Sequence, residues 1–273
     1  MRPSDSGSNL AKDAMTDRFV SIVRDAAVAI VTLNRPDKLN ALTPAMLDQL
    51  EDAARAIEAD DETRVVILAG GGVKAFCVGA DINEWAALRP LDMWRHWVRR
   101  GHQVFDQWAR LRQPVIAAIN GHAFGGGLEL AITADVRIAA EEARFALPEA
   151  SIATCPGWSG TQRLVRLTGA SHAKYLALSG ARVTAADARA CGLVHEVVPQ
   201  DRVLERAHRL ALDMAARAPV ALQLTKQLLN AASGEETGST LEAMAGALAA
   251  STEDAAEGIR SFSEKRPPIY VGR

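Results

Sequence analysis

The chain has 273 residues, long for one ordinary domain and short for two large ones, so its length favours a single core with an appendage. The 31 Lys and Arg set against 33 Asp and Glu leave a net charge of −2, which supplies no field to draw in nucleic acid or an anionic membrane surface. Hydrophobic content of 48% with 23% charged residues excludes disorder for most of the chain, and Cys77, Cys155 and Cys191 are too scattered for a disulfide framework or a zinc site.

Residues 1–17 are polar, carry Asp5, Asp13 and Asp17, and have no apolar h-region, so they read as the flexible N-terminus of a cytoplasmic protein rather than as a targeting peptide. Short β-branched runs at 19–24 and 28–34 predict a hairpin or adjacent strands. Thr43-Pro44 is an N-cap followed by proline at the first helical position, and Met46, Leu47, Leu50, Ala54 and Ile57 make one apolar stripe behind it, which predicts a helix. A buried strand over 65–68 runs into Gly70-Gly71-Gly72, and Trp94, Trp97, Val98, Val104, Phe105, Trp108 and Leu111 then recur at helical spacing. The order repeats: Pro114 precedes a strand at 115–119, Gly125-Gly126-Gly127 follow, and 128–134 opens a helix. Asn120, His122, Glu129 and the glycines keep 115–134 from being a membrane span.

Further strands at 136–139 and 144–146 lead through Leu147-Pro148 to Glu149. From Ser171 the chain turns Ala-rich and helical; Thr184 and Asp187 cap a helix that Gly192 closes, and a last strand spans 193–198. Beyond Pro199 the helical segments are 202–217, 219–232, 241–250 and 252–265, with a loop at 233–239. The predicted organisation is therefore a flexible segment over 1–17, an α/β domain over 18–200, and a helical domain over 201–273.

Two segments set a glycine-rich loop directly after a buried strand, Gly70 through Asp81 and Asn120 through Gly127. Glycine lets backbone N–H groups face a ligand closely, so such loops suit an anion or a developing oxyanion, although either one alone is also an ordinary turn. Gly70-x-Gly72-x-x-Ala75 formally satisfies a dinucleotide fingerprint, but no amphipathic helix opens at once behind it. Gly157-Trp158-Ser159-Gly160 is not the G-x-S-x-G of a serine hydrolase, and the six histidines show no metal-ligand spacing. Glu129 stands early in an apolar helix and Glu149 stands 20 residues later, after Pro148. Singly they read as a first-turn carboxylate and a solvated loop residue. As a desolvated pair their pKa values would separate into one acid and one base, which is what addition of water requires.

Four motifs in order resemble the signatures of the crotonase (enoyl-CoA hydratase/isomerase) family: Leu33-Asn34-Arg35-Pro36-Asp37-Lys38-Leu39-Asn40-Ala41-Leu42, Lys74-Ala75-Phe76-Cys77-Val78-Gly79-Ala80-Asp81-Ile82, Gly125 to Leu130, and Pro156-Gly157-Trp158-Ser159-Gly160-Thr161-Gln162-Arg163-Leu164. The resemblance implies an α/β fold, a spiral of β-β-α units followed by a helical trimerisation domain, and a homo-trimer or hexamer. It implies that Ala80 and Gly126 donate backbone N–H groups to a thioester oxygen, and that Glu129 and Glu149 are the catalytic pair of a hydratase. Substrate contacts implied in the same way are Lys38, Lys74, Val78, Asp81, Ile82, Gly125 and Trp158, with Phe262 and Lys265 reaching a neighbouring subunit's nucleotide. The implied substrate is an acyl-CoA thioester, with coenzyme A entering as part of it and no metal, redox cofactor, nucleic acid or membrane involved. Isomerase, CoA lyase and non-catalytic CoA-ester binder remain alternatives. Trp158-Ser159 stand where the family usually has small residues, and Val78 is bulkier than the usual alanine, so the acyl pocket is expected to be reshaped, together with the tryptophan-rich segment 83–112.

Overall fold

The computed structural model describes residues 18–273; the flexible segment expected over 1–17 lies outside the described residues. The chain divides into two compact units, the first ending at Leu222 and the second running Gln223–Arg273.

The first unit opens with the expected hairpin, β1 (Val20–Asp25) against β2 (Val28–Leu33), antiparallel with Val20 opposite Leu33. A 3-10 turn at Pro36–Lys38 leads to α1 (Pro44–Glu58), where the Thr43 hydroxyl accepts the Met46 N–H at 3.2 Å and the predicted stripe is buried. Next come β3 (Val65–Gly70) and β4 (Ala75–Cys77), then a broken helical segment: α2 (Ile82–Trp85), α3 (Pro90–Asp92), a π-helical turn at Met93–Val98, and α4 (Arg99–Arg110). The unit continues with β5 (Val115–Ile119), β6 (His122–Phe124), α5 (Gly126–Ala131), β7 (Val136–Ala140), β8 (Arg144–Ala146), a 3-10 turn at Glu149–Ile152 and α6 (Gly160–Ser179). It closes with β9 (Val183–Thr184), α7 (Ala185–Ala190) inside its predicted capping box, β10 (Glu196–Val198) and α8 (Val203–Ala215).

These strands form two sheets, one of six in the order β1-β2-β3-β5-β7-β10 and one of four in the order β4-β6-β8-β9. From β2 onward the large sheet is parallel, and its central strands β3 and β5 are almost wholly buried runs of Val, Ile, Leu and Ala, as a parallel sheet covered on both faces demands. Three times a long strand of the large sheet is followed by a short strand of the small one, β3 then β4, β5 then β6, β7 then β8, before the chain turns helical. That is the spiral of β-β-α units. The short strands β4 and β6 fall inside segments the sequence presents as glycine loops, because three residues between glycines leave no periodicity to read.

The boundary expected near Gln200 lies instead at Leu222, because α8 belongs to the first unit: Val203, Ala207, Ala211 and Ala215, one every fourth residue, are buried against β3, β5 and β7. The boundary itself falls within α9 (Pro219–Ala232). The second unit holds the remainder of that helix with α10 (Thr237–Ala250) and α11 (Glu253–Glu264), so helix begins where part of the 233–239 loop was expected. Thr252 caps α11, and the chain end returns along it: Val271 and Gly272 donate their N–H groups to Asp254, and Arg266 pairs with Glu257 at 2.6 Å. Among the described residues no helix is long and apolar enough to cross a membrane.

Candidate active site

Parallel pairing of β4 with β6, with Ala75 opposite His122 and Cys77 opposite Ala123, sets the two glycine turns side by side. Asn40, fully buried, donates its amide to the carbonyls of Gly71 and Phe76 and so ties the first turn down. Gly79 has φ +99°, and a Cβ there would stand 3.1 Å from the Gly126 nitrogen, so the two backbones meet closely only because residue 79 has no side chain. Leu42 donates to the Gly79 carbonyl and Asp81 donates to the Leu42 carbonyl, which leaves the Ala80 N–H outside that bridge. Gly126 is the first residue of α5, so its N–H has no intrahelical acceptor. Both residues line one cavity of roughly 240 Å³.

The two glutamates reach the same cavity from different elements. Glu129, in the first turn of α5, is 3% exposed, and its Oε1 accepts the N–H groups of Trp158 and Gly160, each at 2.9 Å. A Cβ at Gly160 would fall 2.5 Å from that oxygen, so the start of α6 approaches the carboxylate only as glycine. Burial raises the Glu129 pKa, and the backbone donors of residues 157–160 oppose it. Glu149, at the head of the 3-10 turn after Pro148, is 9% exposed and is thus buried rather than the solvated loop residue its local sequence suggests. Burial, with repulsion from Glu129 added, pushes its carboxyl up to about 7. Its Oε2 is buried with no hydrogen-bond partner. The Glu129 carboxylate is therefore clamped by amides from the start of α6, whereas that of Glu149 has only its own backbone amide.

Of the remaining residues singled out by sequence, Val78, Ile82, Gly125 and Trp158 line this cavity. Asp81 does not: its carboxylate pairs with Arg35 at 2.7 Å and caps α2, its N–H is spent on Leu42, and Arg35 holds its pKa below the usual range. Its side chain is thus committed to a structural ion pair and a helix cap. Lys74 is exposed and lines a separate groove with Asp37 and Leu39, the neighbours of Lys38. Phe262, 87% exposed, and Lys265 belong to the second unit.

The tryptophan-rich stripe divides. Trp97 and Val98 line the cavity together with Trp85 and Met93, whereas Val104, Phe105 and Trp108 are core and Trp94 is 56% exposed. The sequence carried no sign of a brace behind Glu129: Ser159, at φ +71°, donates to Asp106 at 2.9 Å and meets His102 Nδ1 at 3.0 Å, while Arg163 pairs with Asp106 at 2.8 Å. The partners in each of these contacts stand 53 or 57 residues apart in the chain. Ser159 is not among the residues that line the cavity, and its hydroxyl is engaged by Asp106 and His102. Among the described residues, no group of three or more His, Cys, Asp or Glu could hold a metal ion.

The enoyl-CoA hydratase/isomerase family model matches residues 23–273. The chain belongs to that family. It is similar to 2,3-dehydroadipyl-CoA hydratase of Escherichia coli, 41% identical with 95% of this chain and 100% of the relative covered. It is also similar to short-chain-enoyl-CoA hydratase of Clostridium acetobutylicum, at 39% identity over 90% of this chain and 95% of the relative. Among solved structures, an enoyl-CoA hydratase from Bacillus anthracis superposes with a TM-score of 0.78 at 39% identity, covering 93% of this chain and all 100% of that one. The fold is thus the crotonase fold.

Proposed function

We propose that this family member is an enoyl-CoA hydratase, adding water reversibly across the 2,3 double bond of a 2-enoyl-CoA thioester to give the 3-hydroxyacyl-CoA. The observation that carries the reading is the convergence of two buried glutamates and two backbone N–H groups on one cavity, a pattern that fits general acid–base chemistry on a polarised carbonyl. The thioester oxygen sits between the N–H groups of Ala80 and Gly126, which stabilise the enolate as it forms; one such donor is worth roughly 3–4 kcal/mol in other enzymes. Glu129, positioned by the Trp158 and Gly160 amides, takes a proton from water as the oxygen bonds to C3. The electron pair of the double bond moves to C2, which takes the proton of Glu149, a carboxyl still partly protonated near neutrality. One proton returning from Glu129 to Glu149 resets the pair, and the net change is one water.

Lys38 and Lys74, exposed beside one groove, suit the phosphates of the coenzyme A moiety. Phe262 and Lys265 suit the nucleotide of a neighbouring copy in a homo-trimer or hexamer built through the second unit, whose helices expose Leu228, Leu229, Leu241, Leu248 and Ile259. The composition fits a cytoplasmic setting. The deciding experiment follows enoyl-thioester absorbance on adding the protein to 2-hexenoyl-CoA, beside Glu129→Gln and Glu149→Gln. Loss of absorbance with the parent and with neither variant is expected. No loss with the parent overturns the reading in favour of an isomerase, a lyase or a non-catalytic binder.

A further inference from the structure

We infer that the acyl end of this cavity is built for an uncharged, compact chain and that Trp158 is the wall that sets its limit, an assignment that rests on the hydratase reading for its substrate. The indole is 3% exposed and packs against Trp97, with ring centroids 5.4 Å apart, and edge-on against Phe105 at 5.2 Å. It is clamped between two residues that have no side chain. A Cβ at Gly101 on α4 would overlap the Trp158 indole, and a Cβ at Gly126 would stand 2.8 Å from its Cε3 and Cζ3. The ring therefore lies directly beside the backbone amide proposed to hold the thioester oxygen, and the absence of side chains at 101 and 126 is what gives it room.

The charge of the lining points the same way. Among the described residues no Lys, Arg or His lines the cavity and its carboxyls are those of Glu129 and Glu149; the other walls are mostly apolar, Ile82, Trp85, Met93, Trp97 and Trp158 among them, with Ser151, Thr154 and Cys155 as the small polar side chains. Arg163, which acts on Glu129 from behind, is bound to Asp106. A chain ending in a carboxylate would be desolvated there without a cation and would face two carboxyls of its own sign. The specificity named for the Escherichia coli relative is accordingly not carried by this lining.

The pair that tests this is 2-hexenoyl-CoA and 2,3-dehydroadipyl-CoA, equal in carbon count and differing in a terminal methyl or carboxylate. The parent protein is expected to show kcat/KM at least 100-fold higher for the neutral thioester, and the non-reacting hexanoyl-CoA to bind at least 10-fold more tightly than adipyl-CoA. Values within 3-fold in the binding pair overturn the inference even if hydration fails, so failure of the hydratase reading and failure of this one are separable. Trp158→Ala is expected to raise the affinity for decanoyl-CoA relative to hexanoyl-CoA at least 10-fold, with Trp158→Phe between it and the parent. If Trp158→Ala does not fold, Trp158→Phe alone decides, and an unchanged length profile in the folded variant refutes the wall.

Discussion

Replacing Glu149 by glutamine should make the protein more stable, and chiefly at high pH. Burial and the nearby Glu129 lift this carboxyl from 4.5 to about 7. Between those values the folded protein binds more protons than the unfolded chain, so stability is full below about pH 4.5, falls as pH rises through 7, and is level beyond. The full difference corresponds to roughly 3 kcal/mol once the carboxyl is ionised. Glutamine keeps the shape and removes the charge, and Oε2 has no hydrogen-bond partner to lose. Glu149→Gln should therefore exceed the parent by about 3 kcal/mol at pH 8.5, a rise of about 5–10 °C in Tm, and by about 1 kcal/mol or less at pH 5. Thermal unfolding at the two pH values, with hydration measured on the same samples, reads both effects. A variant no more stable than the parent at pH 8.5, or one shifted equally at both, would refute the claim that desolvation governs this carboxyl.

Glu129→Gln and Glu149→Gln should each lower kcat for hydration by about 10²–10⁴, the span of a single acid–base group, with unfolding curves showing that the fold persists. Gly101→Ala should cost about 1–3 kcal/mol by forcing the Trp158 indole aside, and the cost should vanish in a Trp158→Ala background, read as a coupling energy in a double-mutant cycle. Asp106→Ala should cost roughly 3 kcal/mol in denaturant unfolding, because the Arg163 side chain it pairs with is only 7% exposed. Alkylation at pH 8 followed by peptide mass spectrometry should label Cys155, exposed at the cavity, and spare Cys77, whose buried thiol is pushed up to about 12; hexanoyl-CoA should slow labelling of Cys155.

Much of the first unit could be read before its structure. The strand at 115–119, the Thr43 cap with its proline and the Thr184–Asp187 capping box depend on neighbours in sequence, and each lies where local chemistry put it. What could not be read depends on partners far away. How Glu129 is held follows from the return of residues 157–160 over α5, and the commitment of the Asp81 carboxylate to an ion pair follows from Arg35, 46 residues earlier. The helix α8 reads as part of a helical appendage because its small-residue stripe, Ala207, Ala211 and Ala215, looks alike whether it meets another helix or a sheet. The Ser159 brace has no motif at all, since its left-handed backbone suits glycine and only distant side chains hold a serine there.

The two donors proposed for the thioester oxygen are main-chain amides, and this changes how the protein can be damaged. Only proline lacks the N–H, so replacing Ala80 by any other residue leaves the donor in place. Proline apart, changes that disable these donors act by displacing what surrounds them, and the positions with that leverage are those where a Cβ has nowhere to go: Gly79 against the Gly126 nitrogen and Gly127 against the Cys77 carbonyl, with Gly160 doing the same to the Glu129 side chain. The acyl end is lined by side chains, most of them on a broken helical segment and Trp158 ahead of α6, and can vary one residue at a time. Divergence along this lineage is thus free to retune what is hydrated while the apparatus that hydrates it stays all but immovable.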